Sequence, residues 1–403
     1  MPKGVEGMVR SGLEMLLAKA GSQLRGKRIG LLTHAAGVDG QMRSSIERIS
    51  EIPGVRLVSL FGPEHGLHGQ AQDLIGVSDH ESPGACAQVV SLYGKTFESL
   101  KPTPKQLEGL DLLVVDLQDI GSRFYTFQAT MKYCMQAALP MGLDVMVLDR
   151  PNPIGGLQVE GPLVSNGYES FVGAHRLAVR HGLTLGELAR MYYSEIEKNS
   201  VGRALGEFQV IACEGWNRED YFDECNLPWV LPSPNMPWLD TAIVYPGQCL
   251  FEGTNLSEGR GTTRPFEICG APWIDSTKLA QAMKGLGLPG VVFRPVWFRP
   301  TFQKHAGIDC GGVQIHVIDR SEYLPVRTSL ALLIQMRRAS PERFAWRTEM
   351  YEFVSDPIAI DLLFGSDRER KAIEQGATWE QISREWESQE QSFRAESQAY
   401  WLY

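Results

Sequence analysis

The stretch LDLLVVDLQD, residues 110–119, runs from Leu112 to Val115 without a polar break and then meets Asp116, Gln118 and Asp119. Strict alternation would mark a strand with one wet face. An unbroken run of leucine and valine instead marks a strand covered on both faces, the habit of parallel sheets. The same signature recurs in RIGLLTH (28–34), VRLVSLFG (55–62), QVVSLYG (88–94) and DVMVLDRP (144–151). Helical patterns lie between them, MRSSIERISEI and TFQATMKYCMQAAL. Strands alternating with helices predict an α/β fold, a Rossmann-like, doubly wound and mainly parallel sheet.

Further along, TLGELARMYYSEIEK starts at Thr184 with Glu187 three residues on, which is capping-box spacing. LGEFQVIACEGW reads as another strand. Residues 227–266 are rich in proline, glycine and polar side chains, and read as one long functional loop rather than a disordered one, because Trp, Phe, Leu and Tyr are interspersed. GVVFRPVWFRPTF and GGVQIHVID read as strands, and several helical patterns follow. The expected division is a Rossmann-like domain over 1–235 and a smaller α+β domain over 236–403, with a cleft between them.

Composition bounds the function. The chain has 403 residues, 43% hydrophobic and 22% charged, the size at which one core usually becomes two. A net charge of -9 leaves no basic surplus for phosphates, so nucleic acid is excluded as the main partner and a small sugar-like ligand fits better. The N-terminal residues lack a signal-peptide core and no apolar run reaches membrane-spanning length, so the expectation is a cytoplasmic protein without a membrane partner. The oligomeric state is not legible. Seven scattered cysteines, odd in number and never CxxC, read as buried free thiols. No GxGxxG, Walker-type GxxxxGK[ST] or GxSxG is present, which argues against nucleotide dependence and serine-hydrolase chemistry.

Open parallel sheets bind ligands beyond the carboxyl ends of their strands. Three such places are loaded: GPEHG with Glu64 and His65; DLQDIGSRFYT with Asp116, Gln118, Asp119, Arg123 and Tyr125; and LDRPNPIGG with Asp149, Arg150 and Asn152. Pro63 and Gly66 flank Glu64 in a way that suits a rigidly presented side chain, and a glutamate shielded by such a turn can act as a general acid. Arg123 can clamp a carboxylate or hydroxyl with its planar fork, and Tyr125 can meet a sugar face; both can equally tie a helix to the sheet. The long loop adds FEGTNLSEGRGTTRPFE, with Glu252, Asn255, Glu258, Arg260 and Thr262, and RPTFQKHAGIDCGG adds Lys304 and His305. His65 and His68, with Asp73, Asp116 or Asp119 as oxygen donors, have metal-like spacing, but nothing fixes a third ligand; no metal and no cofactor are expected.

These residues carry a resemblance. GKRIGLLTHAAGVD, LFGPEHGLHG, SLYGKT, DLQDIGSRFYTF, VLDRPNPIGG, VEGP, RHGLTLGELA, the whole of LPWVLPSPNMPWLDTAIVYPGQCLFEGTNLSEGRGTTRPFE, GAPWID and RPTFQKHAGIDCGG appear in the order found in bacterial exo-β-N-acetylmuramidases of the NamZ type. The resemblance spans about residues 12–403. It implies a Rossmann-like domain joined to a smaller one with the active site in the cleft, and removal of N-acetylmuramic acid (MurNAc) from the non-reducing end of peptidoglycan fragments. It also implies Glu64 as the catalytic glutamate. Glycoside cleavage needs a second group, for which Glu258 and Asp119 are the candidates. Arg123 and Arg260 are the candidates for the lactyl carboxylate, Asn152 and Asn255 for the acetamido and hydroxyl groups, and His65, Tyr125, Glu252 and His305 for other cleft contacts. The alternatives are a muropeptide-binding sensor without activity and a metal-dependent cell-wall hydrolase.

Overall fold

The computed structural model describes residues 7–19, 21–69, 71–72, 80–81 and 87–403. Asp73 and Cys86 lie outside the described residues. The apolar runs form β1 (Arg28–Thr33), β2 (Arg56–Gly62), β4 (Gln88–Ser91), β5 (Leu112–Asp116), β6 (Asp144–Leu148) and β7 (Phe208–Ile211), with the short β3 (His80–Glu81) preceding β4. They make one sheet in the order β3-β4-β2-β1-β5-β6-β7, parallel throughout except for β3 on the edge. Counting only the parallel strands along the chain, the order is that of the classic dinucleotide-binding fold, and it reverses between β1 and β5.

The strands are apolar without alternation because each face has its own core. Leu32, Phe61, Val90, Leu113, Val115, Val145 and Val147 point into one apolar cluster. Their neighbours Leu31, Leu60, Val89, Leu112, Val114, Met146 and Leu148 point into another. Helices Phe127–Ala138 and Leu185–Asn199 cover the first face; Gly12–Ala18 and Ser45–Ser50 cover the second. The Thr184 capping box forms as expected, Thr184 N–H donating to Glu187 Oε2 at 3.0 Å and Glu187 N–H to Thr184 Oγ1 at 3.2 Å.

A second sheet consists of β8 (Ile268–Ala271), β9 (Val291–Phe298) and β10 (Cys310–Val317), antiparallel in the order β8-β10-β9. Cys269, Ala271, Val313 and Ile315 belong to the same apolar cluster as Leu113 and Val115, so the smaller sheet is joined to the larger through one shared core. The 227–266 stretch is not a single loop. It contains the helix Leu239–Gln248, with Pro246 inside it, and the 3-10 turn Cys249–Gly253. Gly247 lets this helix pack hard on its neighbour Pro325–Ala339: a Cβ there would lie 1.9 Å from the Pro325 carbonyl oxygen. The proline and glycine that suggested a loop therefore serve a buried helix.

The chain's end returns to the first sheet. Tyr403 Oη donates to Asp149 Oδ2 at 2.8 Å and accepts from Cys213 N–H at 2.7 Å, and Arg190 holds the carbonyls of Tyr400 and Trp401 at 2.9 and 2.8 Å. The six described cysteines are buried and unpaired. Among the described residues no helix is long and apolar enough to cross a membrane.

At the β1/β5 switch point, where this topology usually holds a nucleotide, the crevice is lined by Gln118 and Arg150 and by the chain's own Leu227, Pro228, Trp229 and Val230. Beside it Arg150 makes a buried two-pronged contact with Asp116, Nε to Oδ1 at 2.7 Å and Nη2 to Oδ2 at 2.9 Å. His34, directly after β1, accepts the Gln118 N–H on Nε2 at 2.9 Å. Burial, reinforced by the nearby Arg150 charge, pushes the His34 imidazole down to about 3.

Two outcomes follow from these strand ends. Arg150→Ala strands the buried Asp116 carboxylate and should cost about 3–5 kcal/mol in urea unfolding; a loss within experimental error would show that the pair does not hold the sheet end. His34 has a folded pKa below its unfolded value, so the stability it contributes is complete above about pH 6.5 and is lost as pH falls towards 3. His34→Gln should therefore lose less stability than wild type across that window, and parallel pH–stability curves would contradict the assignment.

Candidate active site

Glu64 follows β2 directly. Pro63 accepts the Gly66 N–H at 3.0 Å, and the turn between them carries His65 at φ 70° and Gly66 at φ 78°. Glycine takes that left-handed geometry freely; His65 does not, and is held in it by a 2.8 Å contact from Nδ1 to the Ala71 carbonyl. A carbonyl can only accept, so Nδ1 carries a proton and, in the neutral ring, Nε2 is the acceptor. Glu64 is buried, and its Oε2 accepts a 2.7 Å hydrogen bond from Thr126 Oγ1 at the start of the helix Phe127–Ala138.

Glu64 and His65 form part of the wall of a pocket. From the first sheet's loops come Phe124, Tyr125 and Thr126, and from the connecting segment Ser233, Asn235 and Met236. Tyr245, Glu252, Arg260, Phe266, Tyr351 and Glu352 close it from the C-terminal part of the chain. Tyr125 meets Tyr245 edge-on at 6.0 Å between ring centres, and Tyr245 meets Phe266 at 4.7 Å, giving one aromatic side. Burial lifts the phenols of Tyr125, Tyr245 and Tyr351 well above their ordinary range, so each remains a neutral hydroxyl.

Beside these rings the wall is charged. Arg260 Nη2 lies 2.5 Å from Glu252 Oε1, its Nε 3.4 Å from Glu258 Oε1, and its guanidinium sits over the Phe266 ring at 4.9 Å. Glu252 Oε2 accepts from Tyr351 Oη at 2.7 Å. Burial acts to raise the Glu252 carboxyl, but the charge and hydrogen bond of Arg260, with help from Tyr351 and Lys304, outweigh it and hold the group below the usual carboxylate range. Among the described residues that line the pocket, Glu64, Glu252 and Glu352 are the carboxylates and Arg260 is the one arginine or lysine.

Five of the sequence-selected residues thus meet at the pocket: Glu64, His65, Tyr125, Glu252 and Arg260. Glu258 lies behind its wall, with Lys304 Nζ 2.8 Å from Oε2; Lys304 also donates to the carbonyls of Phe251 and Leu256. Asp119 lies outside the described lining as well, accepting from Gly121 N–H at 2.7 Å with His181 Nε2 3.7 Å away. Arg123 is put to a different use from the one expected. Fully buried, it donates to the carbonyls of Pro162, Leu177 and Leu363 at 2.6, 2.8 and 2.5 Å, and so staples residue 363 to the first sheet's loops.

Asn152 and Asn255 also serve the backbone. Asn152 donates to the Leu183 carbonyl at 3.0 Å and accepts from Ile154 N–H at 3.1 Å; Asn255 donates to the Arg343 carbonyl at 2.8 Å and accepts from Ala345 N–H at 3.0 Å. His305 Nε2 meets the Asn255 carbonyl at 2.8 Å rather than the pocket. Among the described residues no three His, Cys, Asp or Glu side chains converge as a metal site. Sequence reasoning missed Thr126, Ser233, Asn235, Tyr351 and Glu352. Thr126 adjoins the selected Tyr125 and was within reach; nothing in EMYEFVSDP, around Glu352, points to a pocket.

Residues 29–240 match the family model described as exo-beta-N-acetylmuramidase NamZ, N-terminal, and residues 243–403 match its C-terminal counterpart. The chain is 44% identical over 397 residues to the peptidoglycan beta-N-acetylmuramidase NamZ of Bacillus subtilis (strain 168), covering 98% of this chain and 91% of that protein. Crystal structures of two DUF1343 family proteins from Bacteroides fragilis NCTC 9343 superpose on it. One has a TM-score of 0.87 at 34% identity, over 99% of this chain and 100% of that one; the other has 0.76 at 29%, over 98% and 99%. Matched along both parts of its length, the chain belongs to the NamZ exo-β-N-acetylmuramidase family.

Proposed function

We propose that this protein is an exo-acting glycoside hydrolase that releases MurNAc from the non-reducing end of peptidoglycan fragments. The observation that carries the reading is Glu64, buried yet on the wall of the pocket and oriented by Thr126, in a chain of the NamZ family. Its role is to protonate the glycosidic oxygen as the bond to the anomeric carbon breaks. The aromatic side formed by Tyr125, Tyr245 and Phe266 suits the apolar face of a sugar ring.

Arg260 is assigned to the lactyl carboxylate that distinguishes MurNAc from N-acetylglucosamine (GlcNAc). The support is its place among the lining residues and the fit of a guanidinium fork to a carboxylate. His65 presents Nε2 as an acceptor for a sugar hydroxyl. The reading treats residues 1–235 as the domain bearing Glu64 and 236–403 as the domain closing the cleft, supported by the positions of the two sheets. A cytoplasmic place of work is part of it, supported by buried, unpaired thiols of the kind a reducing compartment preserves.

The test is incubation with MurNAc-β-1,4-GlcNAc, with and without EDTA, followed by mass spectrometry of the free sugars. Both sugars should appear regardless of chelator, and Glu64→Gln should lower the rate by about 100-fold or more while still binding MurNAc. Binding without release in the wild type would make the protein a sensor; normal turnover in Glu64→Gln would remove the glutamate from its role. Arg260→Met, which gives up a charge-assisted contact, should weaken MurNAc binding by roughly 10- to 100-fold and narrow the preference over GlcNAc, read by calorimetry. An unchanged preference would place lactyl recognition elsewhere.

A further inference from the structure

Glu352 lies in a segment that no motif marks, yet it lines the same pocket as Glu64 and is buried. Its backbone is the unusual feature. Tyr351 and Val354 exchange both backbone hydrogen bonds at 2.9 Å, so Glu352 and Phe353 are the two central residues of a tight hairpin turn. Both have positive φ, 47° and 67°. A turn with two left-handed residues is normally filled by Asn-Gly or Asp-Gly, because other side chains crowd the backbone there. Here the two positions are Glu and Phe. Strain kept where glycine would relieve it is a mark of a functional position.

The surroundings show what the strain is held against. Phe353 packs edge-on against the Tyr93 ring at 5.5 Å, and Tyr93 Oη donates to Glu352 Oε2 at 3.0 Å. On the other side of the turn, Tyr351 is fixed by its hydrogen bond to Glu252. Tyr93 follows β4 of the first sheet, whereas the turn lies more than two hundred residues later, so the carboxylate is positioned from both parts of the chain. The other acidic groups are differently engaged. Glu258 meets Lys304 and Arg260 behind the wall, Asp119 turns to Gly121, and Glu252 is committed to Arg260 and Tyr351.

We propose that Glu352 is the second catalytic carboxylate of the pocket, the base that takes the proton from the attacking water. This rests on the glycosidase reading above. In the step, the water oxygen bonds to the anomeric carbon of the terminal sugar as its proton passes to Glu352. The bond from that carbon to the bridging oxygen breaks, its electron pair staying on the oxygen, which takes the proton of Glu64. One water is consumed, and the two carboxyl groups exchange their protons with solvent to restore the starting state. Attack is from the face opposite the leaving group, so a β-linked substrate gives an α-configured first product.

The experiment uses the full chain and MurNAc-β-1,4-GlcNAc with three enzymes: wild type, Glu352→Gln and Glu352→Ala. Glu352→Gln should lose about 100-fold or more in kcat while its melting temperature and MurNAc binding stay near wild type. Azide, which attacks without needing a base, should restore cleavage by Glu352→Ala and yield the α-glycosyl azide. Should the alanine variant not fold, kcat and MurNAc binding of Glu352→Gln decide the matter. Turnover by Glu352→Gln within a few-fold of wild type, or a folded Glu352→Ala that yields no α-azide, overturns the proposal while leaving the glycosidase reading intact. If wild type itself releases no sugar, both fall together.

Discussion

Covering the parallel sheet on both faces is the constraint on which the rest of the molecule depends. Once Leu31 and Leu32, Leu60 and Phe61, and Leu112 and Leu113 point alternately into two cores, no polar side chain fits along the strands without losing its hydration. Polar chemistry is displaced to the strand ends. There His34, Glu64, Asp116 and Asp149 each lie at or just beyond the carboxyl end of a strand. The first core also runs on into the second sheet through Cys269, Ala271, Val313 and Ile315. Both walls of the pocket are therefore anchored to one packed body, and a side chain from residue 352 can be held against one from residue 93.

The buried charges near the pocket follow a second rule, that an ion removed from water must be met by its counterpart. Arg260 answers Glu252 and approaches Glu258; Lys304 answers Glu258 and two backbone carbonyls; Arg150 answers Asp116. Arg123 has backbone carbonyls instead of a carboxylate, and burial lowers its guanidinium to about 9, still charged at neutral pH. Lys304, Arg150 and Arg123 resemble ligand contacts in a sequence because the residue types are the same. What separates them is whether their hydrogen bonds end on the protein or face the pocket, and that is a property of three dimensions.

This explains what was legible in the sequence. The parallel sheet was, because burial on two faces leaves a linear trace in runs such as LLVV. The Thr184 capping box was, because its partners are three residues apart. Glu64 and His65 reach the pocket because they closely follow β2, and Tyr125 because it lies in the connection from β5 to the next helix, where topology alone predicts a crevice. Arg123, Asn152, Asn255 and His305 were selected for chemistry, but the backbone carbonyls they meet lie 31 to 240 residues away and nothing local announces them. The helix Leu239–Gln248 was obscured because Pro246 and Gly247 read as breakers, whereas the glycine is there for close helix packing. Strand β8 escaped notice for a similar reason: Gly270 would place a Cβ 2.1 Å from the Gly311 carbonyl, so the strand is small-residued where the sheet is tightest.

The dinucleotide-binding topology without its motif has a physical resolution in the same terms. A nucleotide in this fold needs an open crevice at the switch point and free N–H groups at the first glycine-rich turn. Here that crevice is lined by Leu227, Pro228, Trp229 and Val230, and its polar groups are spent internally, Arg150 on Asp116 and the Gln118 N–H on His34. The pocket lies instead at the strand end after β2, where a proline and a left-handed turn present Glu64 to Thr126. The segment that lines the switch point continues into Ser233, Asn235 and Met236, which line the pocket itself. A single stretch of chain thus lines both the switch-point crevice and the pocket.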